Sequence, residues 1–307
     1  MMRWWSSLRR ASARLISAAT AVSLAACATA QPRAEAETAA AAPALWKLSD
    51  ADTAIYLFGT IHILPRDVEW RTAALERAIA QSDELVLETA TGTDLGKTGR
   101  TMMEMALSPG LPPLMQRVPE EKRAALARLI ESAGISGRAL DRMETWAAAM
   151  SLFASSFRSM GFEAEAGVEQ GLAAQFRKAD KPMSGLETVA QQFGFFDTLS
   201  EESQRAFLVG SIDDPEKAKA QFEEMMKAWA AGDVEAIART FDSETGLSPE
   251  LRAVLMTNRN RAWADWLEAR LDTPGTVLVA VGAGHLAGRD SVQAMLEAKG
   301  LKAERVQ

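Results

Sequence analysis

The chain holds two histidines in 307 residues, and both occupy the same frame. His62 closes Gly59-Thr60-Ile61-His62, directly after Ala54-Ile55-Tyr56-Leu57-Phe58. His285 closes Gly282-Ala283-Gly284-His285, directly after Thr276-Val277-Leu278-Val279-Ala280-Val281. Glycine makes up ~7% of typical sequence, so two histidines each finding it three residues upstream by chance is about a 0.5% event. A short run rich in β-branched and aromatic residues reads as a buried strand, and the glycine after it lets the backbone turn or approach a ligand. Each imidazole then falls in the loop beyond the carboxyl end of a strand, where open α/β sheets place ligands. A lone histidine there is more often a turn cap bonded to backbone. On neighbouring strands the pair converges, and that points to a site.

Two carboxylates end strands in the same way. Glu84-Leu85-Val86-Leu87-Glu88 finishes in Glu88, and Lys181-Pro182-Met183-Ser184-Gly185-Leu186-Glu187 finishes in Glu187. His62, Glu88, Glu187 and His285 are therefore expected on one sheet edge. Two imidazoles and a carboxylate suit a zinc hydrolase or an open-faced iron or manganese centre. A water on such an ion becomes a nucleophile near neutral pH. The remaining carboxylate could act as general base, and Arg259, within Asn258-Arg259-Asn260, could stabilise an oxyanion. Glu88, Glu187 and Arg259 are thus the catalytic candidates. Neither H-E-x-x-H nor G-x-S-x-G is present, so no compact signature assigns the roles.

The elements that must position these groups follow in order. Residues 44–48 and 53–58 read as a hairpin around Ser49-Asp50-Ala51-Asp52. Residues 69–82 read as an amphipathic helix, with Trp70, Ala74, Leu75, Ala78 and Ile79 on its apolar side. With the strand 84–88 this makes a βαβ unit and sets Glu88 on the same edge as His62. Helical periodicity runs through 95–180, clearest over 120–132 and 139–160. Residues 167–178, 188–197 and most of 200–272 also read as helix. A long helix over 252–271 carries Leu255, Trp263, Trp266 and Leu267 on one face. A strand over 276–281, a helix over 290–299 and a strand over 302–306 close the chain. The six methionines 102, 103, 105, 143, 150 and 160 read as core filler in the helical region.

Residues 1–14 carry four arginines and no acid, and 15–26 form an apolar block too short to span a bilayer comfortably. This is a secretory signal. It ends in Leu24-Ala25-Ala26-Cys27, which resembles a bacterial lipobox, and Cys27 is the only cysteine. The competing site is Ala28-Thr29-Ala30. Residues 28–43, rich in Ala, Glu and Pro, read as a tether. Taking four arginines from 34 basic residues leaves 30 against 41 acidic ones, a net charge of −11. That excludes nucleic acid as a partner and leaves the membrane only the lipid on Cys27. The expected destination is the periplasmic face of the cell envelope.

Several of these residues together resemble the TraB/PrgY/GumN family over about 44–305. The marks are Leu45-Trp46, Gly59-Thr60-Ile61-His62, Glu88, Gly167-Val168-Glu169, Leu186-Glu187-Thr188, Arg259-Asn260 followed by Trp263, and Gly282-Ala283-Gly284-His285. The family is similar to the Tiki metalloproteases and to the group of erythromycin esterase and ChaN-like haem-binding proteins. The resemblance implies an α/β fold of that kind: a mixed sheet with helices around it, here one domain over 44–307 with a helical insertion at about 95–180. It also implies a metal centre of His62, Glu88 and His285 taking manganese, cobalt or zinc. The expected activity is metal-dependent hydrolysis of a peptide or small molecule. The alternative is a non-enzymatic module that binds haem or a peptide. Unlike in the Tiki proteins, no long apolar stretch follows His285, so their substrates are not carried over.

Overall fold

The structure is a computed structural model; it describes residues 41–307 except 91–93, 213–214 and 243–247. Cys27, the signal segment and most of the tether lie outside the described residues.

Six strands form one mixed sheet: β1 (Leu45–Ser49), β2 (Thr53–Thr60), β3 (Glu84–Leu87), β4 (Met183–Gly185), β5 (Gly275–Gly282) and β6 (Glu304–Arg305), in the order β4-β3-β5-β2-β1-β6. β4, β3, β5 and β2 run parallel, and β1 pairs antiparallel with both β2 and β6. β5 is the centre of the sheet, between β2 and β3. Its side chains divide with period two. Val277, Val279 and Val281 join Trp46, Leu48, Ile55, Leu57 and Val86 under the helices Asn258–Arg270 and Val292–Ala298. Leu278 and Ala280 join Phe58, Leu85 and Leu87 under Ala73–Gln81 and Val168–Lys178. With both faces covered, the run 276–281 is continuously apolar rather than alternating. This is the α/β fold expected from sequence.

Two expectations are corrected in detail. The helix over 139–160 is broken into Gly137–Asp141 and Thr145–Ser159. Between them Met143 bridges to Leu107, and the Glu144 amide donates to the Ala106 carbonyl at 2.6 Å. Arg117, 2% exposed, explains the break. Its Nη2 donates to the Asp141 carbonyl at 2.8 Å, its Nη1 to the Met143 carbonyl at 2.6 Å, and its Nε to the Pro112 carbonyl at 2.8 Å. Carbonyls that would continue the helix are taken by a buried guanidinium. The helix over 252–271 is likewise not uniform: it begins as Pro249–Arg252, passes through a π-helical turn at Ala253–Thr257, and continues as Asn258–Arg270. Along it Trp263 and Leu267 are buried, whereas Leu255 and Trp266 are only half-buried.

The helices Leu95–Ala106, Glu120–Ala133, Thr145–Ser159, Val189–Asp197 and Glu201–Gly210 surround a separate apolar core of Leu114, Leu126, Leu140, Trp146 and Leu152, to which Val189, Phe193 and Leu208 also belong. Met143 is buried in it, Met102, Met105 and Met150 pack against it, and Met103 is exposed. Arg117 joins its loops. Arg117→Met removes the charge but keeps the length, leaving buried carbonyls unpaired, so urea denaturation should show a loss of about 3 kcal/mol.

Candidate functional site

The parallel register brings the functional groups together. β2 and β5 end level, with Thr60 beside Gly282, and β3 pairs with β5 as far as Leu87 beside Ala280. Beyond the end of β4 the ladder continues: the Leu186 amide donates to the Leu87 carbonyl at 2.9 Å and the Glu187 amide to the Glu88 carbonyl at 2.8 Å. His62, Glu88, Glu187 and His285 therefore all rise from one carboxyl edge. The helix Asn258–Arg270 adds Arg259 to them.

Arg259 is the hub. Its Nη2 donates to Glu88 Oε2 at 2.8 Å and to Glu187 Oε2 at 2.9 Å, and its Nε to Glu187 Oε1 at 2.9 Å. Its Nη1 faces the Leu255 carbonyl at 3.2 Å and His285 Nε2 at 3.1 Å. The π-helical turn supplies that Leu255 carbonyl. The guanidinium carbon lies 4.7 Å from the Trp263 ring centre and 5.6 Å from that of Phe195, so aromatic faces flank it. All three charged side chains are at most 10% exposed. Both oxygens of Glu187 are committed, because Oε1 also accepts the Trp263 Nε1–H at 3.0 Å. Glu187 is placed to hold Arg259, not to stand free as a base.

Burial by itself pushes the Glu88 carboxyl up. The positive groups around it and the Gly282 amide, which donates to Oε1 at 2.6 Å, outweigh this and hold it well below the usual carboxylate range. The lowering charges are His285, which is protonated once the pH falls through its own titration, then Arg259 and His62. Gln192 Nε2 donates to Glu88 Oε2 at 2.9 Å.

Each imidazole has one nitrogen fixed. Burial drives His285 down to about 3, against the pull of Glu88. The neutral ring donates from Nδ1 to Asn260 Oδ1 at 2.5 Å, and Asn260 is itself held by the Asp290 carbonyl at 2.7 Å. This network assigns the tautomer and leaves the Nε2 lone pair toward Arg259. His62 Nδ1 donates to Glu169 Oε1 at 2.7 Å, and Thr60 Oγ1 bonds the same oxygen. Glu169 reaches it because Gly167 lies against the loop: a Cβ on Gly167 would stand 2.3 Å from the His62 carbonyl oxygen. Glu169 raises His62 to about 9, against partial burial, with Glu88 helping. The His62 side chain is 61% exposed, so solvent screens the free energy of this pairing.

The three groups converge over Gly282. A Cβ built there would lie 3.1 Å from Glu88 Oε1, 3.3 Å from His62 Nε2 and 3.6 Å from His285 Cδ2. His285 Nε2 is 3.8 Å from Glu88 Oε1. Among the described residues, no three His, Cys, Asp or Glu side chains already form a metal-holding group. In donor type and support the set still fits a divalent ion: each Nδ1 is tied to an oxygen acceptor, as in carboxylate-histidine-metal centres, although His285 Nε2 already meets Arg259 Nη1. An ion on the Oε1 side of Glu88 would replace one of the five Arg259 contacts, the one to His285.

All five candidates from the sequence meet at this edge. Glu169, Asn260, Gln192 and Thr60 were not among them. Three of these sat inside quoted motifs, Gly59-Thr60-Ile61-His62, Gly167-Val168-Glu169 and Arg259-Asn260; Gln192 gave no signal of its own.

The sequence profile of the TraB/PrgY/gumN family matches residues 44–305, which include every residue of this edge. Similar proteins are the uncharacterized protein YbaP of Escherichia coli (strain K12) and that of Shigella flexneri. Each is 27% identical over 241 residues, spanning 78% of this chain and 87% of the relative. No solved structure matches the chain.

The two rings should titrate at opposite ends of the pH scale. In chelator-treated protein, NMR of the imidazole protons should find His62 charged until about pH 9 and His285 neutral until about pH 3. Glu169→Gln should bring His62 back toward 6.5. The stability that His62 adds is complete below 6.5 and lost as pH rises through 9; that tied to His285 is complete above 6.5 and lost as pH falls toward 3. Their joint contribution should peak near pH 6.5 in denaturation curves.

Proposed function

The chain belongs to the TraB/PrgY/gumN family, and we propose that it is a divalent-metal-dependent hydrolase, acting on a peptide or a small-molecule amide or ester. One observation carries the reading: both imidazoles are locked through Nδ1, to Glu169 and Asn260, so that His62 Nε2 and the His285 ring meet Glu88 Oε1 above Gly282, with His285 Nε2 3.8 Å from that oxygen and bonded to Arg259 Nη1. His62, Glu88 and His285 would hold manganese, cobalt or zinc. When bound, the ion supplies Lewis acidity and a water acidic enough to attack near neutral pH.

The chain's own residues do the rest. Glu88 is ionised at all working pH values and suits a ligand better than a base. Arg259, held between Trp263 and Phe195, would turn to an oxyanion the Nη1 hydrogen that an ion taking His285 Nε2 sets free. Glu187 holds that guanidinium in place through two contacts to Arg259. His62 must give up a proton before its Nε2 can bind a cation, so metal affinity should rise with pH toward 9.

We also propose that the protein is exported and anchored through Cys27, with no other hold on the membrane. No helix among the described residues is long and apolar enough to cross a bilayer.

Metal analysis of protein purified without chelator should find about one equivalent of divalent ion. His62→Ala, Glu88→Gln and His285→Ala should each abolish both the ion and turnover, while Asn260→Ala and Glu169→Gln should weaken metal binding about 10–100-fold. Stoichiometric haem with no divalent ion, or turnover that survives Glu88→Gln, would overturn the reading. Cys27→Ser should release the protein from membranes and end its labelling by palmitate; label that persists would remove the anchor.

A further inference from the structure

Beside the five-residue edge lies an open cleft of about 590 Å³, a size suited to a small ligand or a large side group. It is walled by Leu186, Phe195, Trp263 and Trp266. Trp263 and Trp266 are one helical turn apart, and Phe195 faces them from the helix Val189–Asp197. The wall is rigid where it meets the site. Trp263 is 3% exposed, its Nε1–H is held by Glu187, and its ring stands 4.5 Å from that of His285. Trp266 is only half-buried and turns part of its indole to the cleft.

Charge narrows the occupant. The charged residues that line the cleft are Glu187 and Arg259, and they are bonded to each other. The other polar lining groups, Gln191, Thr198 and Asn258, are neutral. A charged ligand would give up its hydration for no opposite free charge, whereas a flat apolar group gains ring contacts. Arg259 and Glu187 are shared by the cleft and the edge, so a molecule seated against Trp263 presents its neighbouring atoms to Arg259.

We propose that this cleft is the specificity pocket of the protein and that it takes a neutral aromatic side group of the substrate. The part that speaks of substrate rests on the hydrolase reading; the binding of a neutral aromatic group does not.

Gly194 offers a way to close the pocket without disturbing the fold. It lines the cleft within the helix Val189–Asp197, and a Cβ built on it meets no heavy atom within 4 Å. Ala262 is an exposed position on the opposite wall. Titrated into the purified protein, the neutral fluorophore N-phenyl-1-naphthylamine should bind at one site and quench tryptophan emission. The anionic 8-anilinonaphthalene-1-sulfonate should bind at least tenfold more weakly. Gly194→Trp and Ala262→Trp should each weaken the neutral probe at least tenfold, whereas Phe153→Ser, which removes an exposed aromatic elsewhere, should leave it unchanged. In a peptide-library cleavage profile the wild type should prefer an aromatic residue at one position, and Gly194→Trp should lose that preference at least tenfold while still binding manganese. Equal probe binding by wild type and both tryptophan variants, or tighter binding of the anion, would overturn the pocket. A cleavage profile unaltered by Gly194→Trp would overturn its role in specificity. Wild-type protein that binds the neutral probe as described but holds no divalent ion would keep the pocket and sink only the hydrolase reading.

Discussion

Two carboxylates buried at neighbouring strand ends cannot both stay ionised without a cation between them, and Arg259 is that cation. Removing water from Glu88 and Glu187 costs several kcal/mol for each, a cost that pairing offsets only when geometry is good and the remaining lone pairs are satisfied. Here every oxygen of both groups has a named partner: Arg259, Gln192, Trp263 or the Gly282 amide. Much of the surrounding structure follows from that demand. The π-helical turn at 253–257 lends Arg259 a carbonyl, the indole of Trp263 both stacks on the guanidinium and bonds Glu187, and Asn260, next in the chain, turns to His285. Pi-helical turns often accompany functional sites, because one extra residue re-aims the side chains that follow.

The same hub explains the contrast between the two histidines. They share a sequence frame and a sheet edge, yet one is buried beside a guanidinium and the other is exposed beside a carboxylate. Burial, with Arg259 adding to it, keeps His285 neutral; Glu169 keeps His62 charged. A pair that reads as symmetric in the sequence is therefore split into a standing lone-pair donor and a group that must first release a proton.

What the sequence made legible was whatever lies along one strand and its end. The β-branched runs announced β2 and β5, the terminal carboxylates announced Glu88 and Glu187, and the repeated Gly-x-x-His announced the shared edge. Partners that reach the edge from helices were harder to see. Glu169 lies 107 residues from His62 and meets it only because Gly167 allows close approach. The break at 142–144 was invisible for a similar reason. Helical periodicity continues through it, and its cause, Arg117, reaches it from a loop some 25 residues earlier. Local pattern reports propensity; a buried guanidinium that takes carbonyls from a distance overrides it.

The order of the strands has a consequence for when the protein can become itself. β2 and β3 leave the ribosome early, but they do not touch in the sheet; β5, close to the end of the chain, separates them. The Gly282 amide that holds Glu88 arrives 194 residues after its partner. Until then the early strands lack the neighbour they share, and the loops to be closed are long, which makes the central pairing a late and slow event. A nascent chain thus carries half of its site for most of its synthesis without being able to assemble it. The strand that joins the two halves of the sheet is made after β1 to β4, so the edge that carries the site closes only once β5 has emerged to separate and pair β2 and β3.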